Sequence, residues 1–215
     1  MDAIIENLPR FIDGFLMTLR LLVISGLGAL VIGLLIAAMR ISPVGAFRIF
    51  ATGYTELFRN TPLTLVLFFC AFVLPYLGIR FDYAALALIG LTVYTSPFVA
   101  EAIRSGINGV SIGQAEAARA IGLGFSQTLG LIVMPQAVRM VIPPLINVFI
   151  ALTKNTSVAG GFAVVELFAT SRQLINLRGD ETIALLLGVA FFYLIITVPL
   201  GQFAVALEKK VALLR

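Results

Sequence analysis

The residues whose types and spacing could do chemistry lie in a polar segment between two apolar runs, residues 104–132. Ser111 and Gln114 have the spacing of a capping box, in which the serine accepts a backbone N–H and the glutamine bonds back to the cap residue. The helix that begins there is rich in alanine, carries the acid Glu116, and is predicted to end at Gly122, since glycine readily adopts the left-handed conformation at a helix C-terminus. The pattern predicts a short, rigid helix with a face of small residues.

Such a helix is suited to docking against a partner. Small side chains let its backbone come close to another surface, and the Glu116 carboxylate can make a charge-assisted hydrogen bond there. The alternative is an amphipathic helix that lies on lipid headgroups, which would require bulky apolar residues flanked by lysine or arginine. The alanines fit that alternative poorly, so we favour docking.

The rest of the sequence lacks the groups that most catalytic sites need. It contains no histidine and one cysteine, Cys70, which lies in an apolar run and is expected to pack as a small hydrophobe. Without histidine there is no Ser-His-Asp or Cys-His nucleophile, no imidazole proton shuttle and no histidine zinc site. No phosphate-binding loop of the form G-x-x-x-x-G-K-[ST] occurs either. We therefore expect neither an enzyme nor a cofactor-binding chain.

The composition places the chain in a lipid bilayer. Of its 215 residues 60% are hydrophobic and 12% are charged, with a mean hydropathy of +1.06, whereas a soluble domain carries roughly 25% charged residues. The net charge of +4 is spread over single basic residues, so we expect no nucleic-acid partner. A membrane-spanning helix needs about 20 mainly apolar residues. Five segments meet this requirement: residues 15–39, 62–79, 84–103, 133–153 and 183–207.

We therefore predict an all-α integral membrane protein, a single transmembrane domain over residues 1–215 with five transmembrane helices. The positive-inside rule favours an N-terminus outside and a C-terminus in the cytoplasm, since eight basic residues then lie inside and five outside. The inner ones are Arg40, Arg48, Arg59, Arg104, Arg119, Lys209, Lys210 and Arg215, and the outer ones are Arg10, Arg80, Lys154, Arg172 and Arg178.

This orientation puts two long connectors in the cytoplasm, residues 40–61 and 104–132, and one outside, residues 154–182. The outer connector begins with a polar cluster and continues with apolar residues at helical spacing, which predicts a short helix that lies at the outer face or dips into it. Those apolar residues are Val158, Phe162, Val165 and Phe168.

Polar residues within the spans are candidates for lining a solute path. Thr95 and Ser96 lie halfway along the third span and would give a hydroxyl-lined path for a zwitterion if they face the fourth span. Asn147 follows Pro143 and Pro144, which either bend a pore-lining helix or merely bend a packed one. Lys154 is either an interface anchor or a partner for a carboxylate. The path candidates are Thr61, Thr95, Ser96, Asn147, Lys154, Asn155, Thr156 and Ser157.

Four other charged residues fall in or near the spans. Glu101 and Arg104 are three residues apart on one helix face, so we predict a structural ion pair rather than a transport role. Arg20 is expected to extend outward toward Asp13 rather than to line a pore. Arg139 could bond carbonyls freed by the nearby Pro135 or reach the headgroups.

Several segments resemble those of a known family. One of them resembles the EAA motif of the permease subunits of bacterial ABC importers. The matching residues are Glu116-Ala117-Ala118, Gly122 after three further residues, then Ile132 and Pro135, and Met134 stands where leucine is usual. The likeness covers roughly residues 14–210 and extends to the branch that handles polar amino acids, with some features of actinobacterial glutamate permeases. The further blocks are residues 58–62, 94–101, 104–107, 113–114, 135–139, 143–147 and 152–157.

The resemblance implies that Glu116, Ala117, Ala118 and Gly122 form the cytoplasmic coupling helix that docks on a separate ATPase subunit. The chain would then lie in a bacterial cell membrane and move an amino acid inward by alternating access, with ATP and magnesium bound by the ATPase. A second permease subunit would complete the path, since five helices are few to enclose one. An extracytoplasmic binding protein would deliver the substrate, for which the resemblance favours glutamate.

Two other functions compete with this interpretation. A secondary transporter or channel would need no ATPase, but proton coupling requires a carboxylate or histidine deep in a span, and the span centres contain none. Sodium coupling by carbonyls stays open, although it gives the segment 104–132 no purpose. A membrane-embedded enzyme lacks a histidine cluster, a carboxylate pair or a reactive cysteine.

Overall fold

The computed structural model describes residues 2–212, and within that range it contains helices and short connections but no strand. The helices are α1 (Asp2–Glu6), α2 (Leu8–Ile41), α3 (Gly45–Arg59), α4 (Leu63–Phe68), α5 (Leu74–Tyr76), α6 (Tyr83–Asn108), α7 (Ile112–Ala120), α8 (Phe125–Gln127), α9 (Met134–Asn155), α10 (Leu167–Leu177) and α11 (Thr182–Ala212). Wider π-helical turns, Phe69–Val73 and Thr128–Val133, join α4 to α5 and α8 to α9, and 3-10 turns cover Thr156–Phe162 and Gly179–Glu181.

Four helical segments are long and apolar enough to cross a bilayer. They contain the first, third, fourth and fifth predicted spans in full and extend beyond them by between one and nine residues at each end. The segments are Leu8–Ile41, Tyr83–Asn108, Phe125–Phe162 and Gly179–Lys209.

The second predicted span differs from the structure. The helical segment Leu63–Tyr76 is only about 21 Å long at 1.5 Å per residue, which is short of the hydrocarbon thickness of about 30 Å. It is bent by 102° from α3, and only together do the two segments qualify as a span. The sequence analysis treated residues 40–61 as a connector. The structure shows that they contain the 15-residue helix α3. Its apolar residues alternate with polar ones, so no continuous apolar run marked it.

The centre of the molecule is the packing of α2 along α6. Gly33 permits this close approach, since a Cβ atom at that position would lie 2.5 Å from Cγ1 of Val99 and 2.9 Å from the carbonyl oxygen of Ser96. Ala29 and Ala37 are buried in the same cluster, together with Val99 and Ala100 of α6. Small residues along one face of α2 thus let the two backbones come together.

The outer connector is helical, but not over the residues that the spacing indicated. Its 3-10 turn ends before Ala163, which has a left-handed φ of 60°, and a separate helix, α10, begins at Leu167. The prediction of one helix through Val158 and Phe168 was therefore wrong, because the non-helical residues 163–166 separate them. Leu167 and Leu174 pack with Phe11 of α2 and with residues of α11, so the connector is anchored to the bundle.

Of the basic residues used to assign the orientation, Arg215 lies outside the described residues.

Candidate functional site

The helix α7 begins where the sequence indicates. Ser111 is its N-cap residue and has extended backbone angles, φ −62° and ψ 133°. Its side chain makes no capping hydrogen bond, and the backbone N–H of Gln114 donates instead to the Ser111 carbonyl oxygen at 3.0 Å. The predicted capping box was therefore wrong. The first turn is exposed, so water can satisfy the N–H groups that the serine does not.

The end of α7 is the predicted glycine turn. Gly122 has a left-handed φ of +90°. Its N–H donates to the Arg119 carbonyl at 3.0 Å, and the N–H of Leu123 donates to the Ala118 carbonyl at 3.1 Å, which is the double bond pattern of a Schellman motif. The prediction for Gly122 is confirmed, and the turn fixes the direction in which the chain leaves α7.

The next helix begins with a second cap that the sequence analysis did not identify. The side chain of Gln127 accepts a hydrogen bond from the backbone N–H of Gly124 at 3.0 Å. The glycine turn and this cap are separated by a single residue, so α7, the turn and α8 form a hairpin with little freedom between its two arms.

The hairpin presents a mixed surface. Glu116, Ala117 and Gly122 are exposed, whereas Ala118 is only 4% exposed and faces the hairpin interior. The alanine face is therefore divided between the outside and the packing of α7. Three large apolar side chains flank it and are at least 70% exposed: Ile112, Ile121 and Phe125. The sequence analysis singled out the small residues and missed these apolar ones.

Near the same end of the bundle, Glu101 binds three arginines. It accepts hydrogen bonds from Arg104, whose Nε lies 3.1 Å from both carboxylate oxygens, so the predicted ion pair is confirmed. Nη1 of Arg40 lies 2.7 Å from Oε2 of the same carboxylate, and Nη1 of Arg59 lies 3.7 Å from it. Arg40 and Arg59, which the sequence analysis did not connect with Glu101, come from α2 and α3. The cluster ties three helices together beside the start of the hairpin.

A cavity of about 430 Å³ opens between α6 and α9. Three path candidates line it, namely Thr95, Asn147 and Asn155, so the structure brings these together. Its lining residues are Tyr94, Thr95, Phe98, Asn147, Val148, Ala151, Leu152 and Asn155, none of which is ionisable at neutral pH. The volume lies within the range of small-molecule sites, about 300–1,000 Å³.

Thr95 lines this cavity, and its hydroxyl lacks the hydrogen bond that other buried hydroxyls of the described residues make. Most buried hydroxyls of the bundle bond to a carbonyl one turn earlier in their own helix, as Thr153 does to Phe149 at 2.8 Å. Thr95 is 3% exposed, and its Oγ1 is the one buried side-chain nitrogen or oxygen without a hydrogen-bond partner among the described residues. An unpaired buried hydroxyl costs about 1–3 kcal/mol. Only a polar group that reaches this oxygen, from a ligand or from a shifted side chain, would remove that cost.

The remaining path candidates lie elsewhere. Ser96 is buried and bonds to the Tyr54 hydroxyl at 2.7 Å, and Thr61 lines a separate, mainly apolar cavity between α3, α4 and α6. The hydroxyls of Thr156 and Ser157 bond to backbone carbonyls of their own turn, and Lys154 is exposed. These five do not share a site with Thr95.

Sequence reasoning also missed part of the cavity wall. Phe98 and Ala151 line it, and a signal was available, since residues 147, 151 and 155 recur every four positions on one face of α9. The neighbouring pair, residues 148 and 152, follows the same period. Periodicity in the part of α9 that follows the double proline would therefore have identified the wall.

Two arginines in the spans make no ion pair among the described residues. Arg20 is exposed on the outer part of α2 and does not pair with Asp13, which is also exposed. Arg139 is exposed and bonds no carbonyl, and Gln136 instead donates to the Ile132 carbonyl at 2.8 Å. The option of carbonyl bonding for Arg139 was therefore wrong.

A second carboxylate, which the sequence analysis overlooked, is buried in the outer connector. Glu166 is 0% exposed and caps α10, accepting from the N–H groups of Phe168 at 2.9 Å and Ala169 at 2.7 Å. The Tyr193 hydroxyl of α11 donates to it at 3.0 Å. Burial raises the pKa of Glu166, while the two backbone N–H groups, Tyr193 and the nearby Arg172 lower it less. An acid directly before an apolar helix was the available signal.

Among residues 4–209, no three histidine, cysteine, aspartate or glutamate side chains come together to hold a metal ion.

Comparison with known proteins adds to this geometry. The family model described as "Binding-protein-dependent transport system inner membrane component" matches residues 29–213. The glutamate transport system permease protein GluC of Corynebacterium efficiens is 41% identical over 217 residues, with 95% of each chain covered. The probable glutamine ABC transporter permease protein GlnM of Bacillus subtilis is 40% identical and covers 98% of this chain and 97% of its own. A solved amino acid ABC transporter, crystallised with histidines, has a TM-score of 0.88 at 26% identity, covering 97% of both chains.

Proposed function

The chain belongs to the family of inner membrane components of binding-protein-dependent transport systems and is a permease subunit of an ABC importer, and we propose that it carries glutamate or glutamine. The resemblance identified in the sequence is thereby confirmed at the level of the family, whose members are transport components rather than enzymes. The proposal for the substrate class is supported by relatives named for glutamate and for glutamine.

The substrate passes through the cavity between α6 and α9. The observation that carries this step is the buried, unpaired hydroxyl of Thr95 in a wall that also contains Asn147 and Asn155. Hydroxyl and amide groups can bond both the amino and the carboxylate group of a zwitterion. The resemblance favoured glutamate, but the lining is uncharged. Because a charged side chain is more costly to desolvate there, glutamine is the preferred substrate of the two.

The hairpin of α7 and α8 couples the permease to a separate ATPase subunit. Glu116 and Ala117 contact the ATPase together with the exposed apolar side chains beside them, Ile112 and Ile121. Ala118, which is buried, keeps the hairpin packed. Closure of two ATPase subunits shifts two permease subunits as rigid bodies, so the cavity opens alternately to the two sides.

The remaining partners follow from the same proposal. The chain spans a bacterial inner membrane with its N-terminus outside, which puts the hairpin in the cytoplasm beside the ATPase. An extracytoplasmic binding protein docks over the outer connector. A second permease subunit, either a copy or a sister chain, completes the path.

Uptake into vesicles tests the transport step. The full-length chain is reconstituted with its genomic neighbours, an ATPase and a binding protein, and labelled glutamate and glutamine are offered separately. Uptake should require ATP hydrolysis and favour glutamine. Thr95→Val should slow uptake roughly three- to tenfold, since one hydrogen bond is lost. The matched control is Thr153→Val, whose hydroxyl bonds within its own helix. Uptake without hydrolysis, or equal effects of the two variants, would contradict the proposal.

ATPase stimulation tests the coupling step separately. Gly122→Val places a β-branched residue at φ +90° and should abolish stimulation of the ATPase by the permease. Gly113→Ala is the control in the same helix, because a Cβ there meets only the Ser111 hydroxyl at 3.6 Å. Normal stimulation by both variants would show that the hairpin does not couple.

A further inference from the structure

A further, shallow cavity of about 510 Å³, open to the surface, lies where α2, α3 and α6 meet. Its lining residues are Arg40, Arg48, Ile49, Thr52 and Arg104. Three of these five are arginines, each from a different helix, so the cavity is strongly basic. It is separate from the uncharged cavity between α6 and α9.

The positive charge of this region exceeds the negative charge available to it. Among the described residues, the ion pairs of Arg40, Arg59 and Arg104 all go to one carboxylate, Glu101. Arg48 forms no ion pair there and donates its Nη1 group to two backbone carbonyls. Three guanidinium groups thus share one carboxylate and a fourth, that of Arg48, has no carboxylate of the described residues within ion-pair distance, so an anion in the cavity would offset the excess.

The arginine side chains are fixed by hydrogen bonds, and some of their N–H donors have no partner among the described residues. Nη1 of Arg48 lies 2.9 Å from the carbonyl oxygens of both Ser42 and Pro43, at the end of α2. Arg40 uses one nitrogen on Glu101. A guanidinium carries five N–H donors in a planar fork, so further donors remain for a tetrahedral anion. Little side-chain entropy is lost when donors are already fixed.

The surroundings of the cavity identify the anion. Apolar side chains of α3 are exposed beside it, including Phe47 at 49%, Ile49 at 76% and Phe50 at 58%. With Leu63–Tyr76 inside the bilayer, the 102° bend after α3 would place this helix along the membrane surface. A basic cavity bordered by exposed apolar residues at a membrane surface suits a phospholipid, whose phosphate meets the arginines and whose chains cover the apolar residues.

We propose that this cavity binds the phosphate of an anionic phospholipid. Inorganic phosphate has the same anionic chemistry and would meet the same guanidinium groups, but it gains nothing from Phe47 and Phe50. Bound lipid would lie against Arg104, at the end of the helix that precedes the coupling hairpin.

Lipid retention in nanodiscs tests the proposal. The full-length chain is placed in nanodiscs of equal phosphatidylglycerol and phosphatidylcholine, and the lipids that remain bound are counted by native mass spectrometry. Wild type should retain phosphatidylglycerol preferentially. Thr52→Glu puts a carboxylate into the cavity and should abolish the preference, and Arg48→Gln should lower it about fivefold.

Two control variants distinguish an effect of charge inside the cavity from effects of side-chain size or of net charge alone. Thr52→Gln has the same length without charge, and Arg139→Gln removes an exposed arginine that does not line the cavity. Both should retain the wild-type preference. Equal retention of the two lipids by wild type, or an unchanged preference in Thr52→Glu, would overturn the proposal.

Inorganic phosphate distinguishes the two sources of the anion. One outcome would show that the ligand is a soluble anion and that the lipid proposal is wrong. In that outcome millimolar phosphate binds wild type in pure phosphatidylcholine nanodiscs, Thr52→Glu abolishes this binding, and wild type shows no preference for phosphatidylglycerol. Displacement of phosphate by phosphatidylglycerol would support the lipid proposal. Melting temperatures of all variants exclude misfolding as the cause.

Discussion

Two carboxylates mark the two ends of this bundle, and each is neutralised in a different way. Glu101 is surrounded by cations. Nη1 of Arg40 lies 2.7 Å and Nη1 of Arg59 lies 3.7 Å from its Oε2, and Arg104 donates to both carboxylate oxygens. Glu166 is fully buried and is held by neutral donors, two backbone N–H groups and the Tyr193 hydroxyl. The first joins the three helices α2, α3 and α6 through charge, and the second joins the connector that contains α10 to α11 through hydrogen bonds.

This difference decides what each end tolerates. Removing the charge of Glu101 leaves three arginines without a counter-charge, whereas removing the charge of Glu166 leaves three neutral donors around it and one nearby cation, Arg172. The end that contains Glu101 therefore depends on a balance of charges next to the α7–α8 hairpin, and the end that contains Glu166 depends on geometry. The following experiments either enlarge this contrast or remove it.

The largest effect is expected from Glu101→Gln. Loss of the Glu101 charge leaves three arginines near one another without a counter-charge. Breaking a buried ion pair costs about 3–5 kcal/mol. Because the Glu101 side chain is 22% exposed, we expect the free energy of unfolding to fall by about 3 kcal/mol, the lower end of that range. Thermal unfolding of the purified chain in detergent measures this. Glu116→Gln, at an exposed position, is the control and should change nothing.

A double variant sharpens the same comparison. Glu101→Gln combined with Arg104→Gln removes one of the stranded charges and should recover about 1 kcal/mol of the loss. If the two losses simply add, the charges do not act on one another and the contrast between the two ends fails.

A smaller effect is expected from Glu166→Gln at neutral pH. Glutamine keeps one acceptor oxygen but turns its amide toward a backbone N–H, which loses a hydrogen bond, while the buried charge disappears and offsets part of that loss. The free energy of unfolding should fall by about 1 kcal/mol. A loss as large as that of Glu101→Gln would show that the two carboxylates are alike.

The dependence on pH gives a third contrast. Burial raises the pKa of Glu166, so the folded state holds the proton to a higher pH than the unfolded state does. Stability should therefore fall as pH rises from the ordinary glutamate value, about 4.3, through the raised value, and no such fall should occur below it. Melting temperatures between about pH 4 and pH 8 should show this slope in wild type and a weaker one in Glu166→Gln. Equal slopes would assign the dependence to other groups.

The smallest effect is expected at an exposed ion pair. Arg178 lies 2.8 Å from Glu6 and 3.3 Å from Glu181, yet it is exposed to solvent. Water screens such pairs, so Arg178→Gln should leave the melting temperature unchanged. A drop comparable to that of Glu101→Gln would show that ion pairing, rather than burial, sets the cost.

Local spacing predicted the parts of these regions that depend on neighbours in sequence. Glu101 and Arg104 are three residues apart on one helix, and the turn at Gly122 follows from the properties of glycine alone. Arg40 lies 61 residues from Glu101, and only the packing of α2 on α6 brings them together. The sequence contains no pattern for such a contact.

Other failures have equally physical causes. The capping box at Ser111 failed because an exposed first turn has water as an alternative partner. Helix α3 was missed because its apolar residues are interrupted by polar ones. The cavity was half predicted: hydroxyls and amides marked Thr95 and Asn147, but the choice between Thr95 and its neighbour Ser96 depends on which way the helix turns them.

The distance along the chain between Arg40 and Glu101 also bears on how the protein is made. Synthesis proceeds from the N-terminus, so Arg40 and Arg59 leave the ribosome well before Glu101, the carboxylate that they share. In the proposed orientation, their uncompensated positive charge would during that interval favour keeping this end of α2 on the cytoplasmic side. Once α6 is inserted, Glu101 would neutralise part of that charge after the topology is set. Arg40 and Arg59 would thus act first as a signal for insertion and later, through Glu101, as a link between helices.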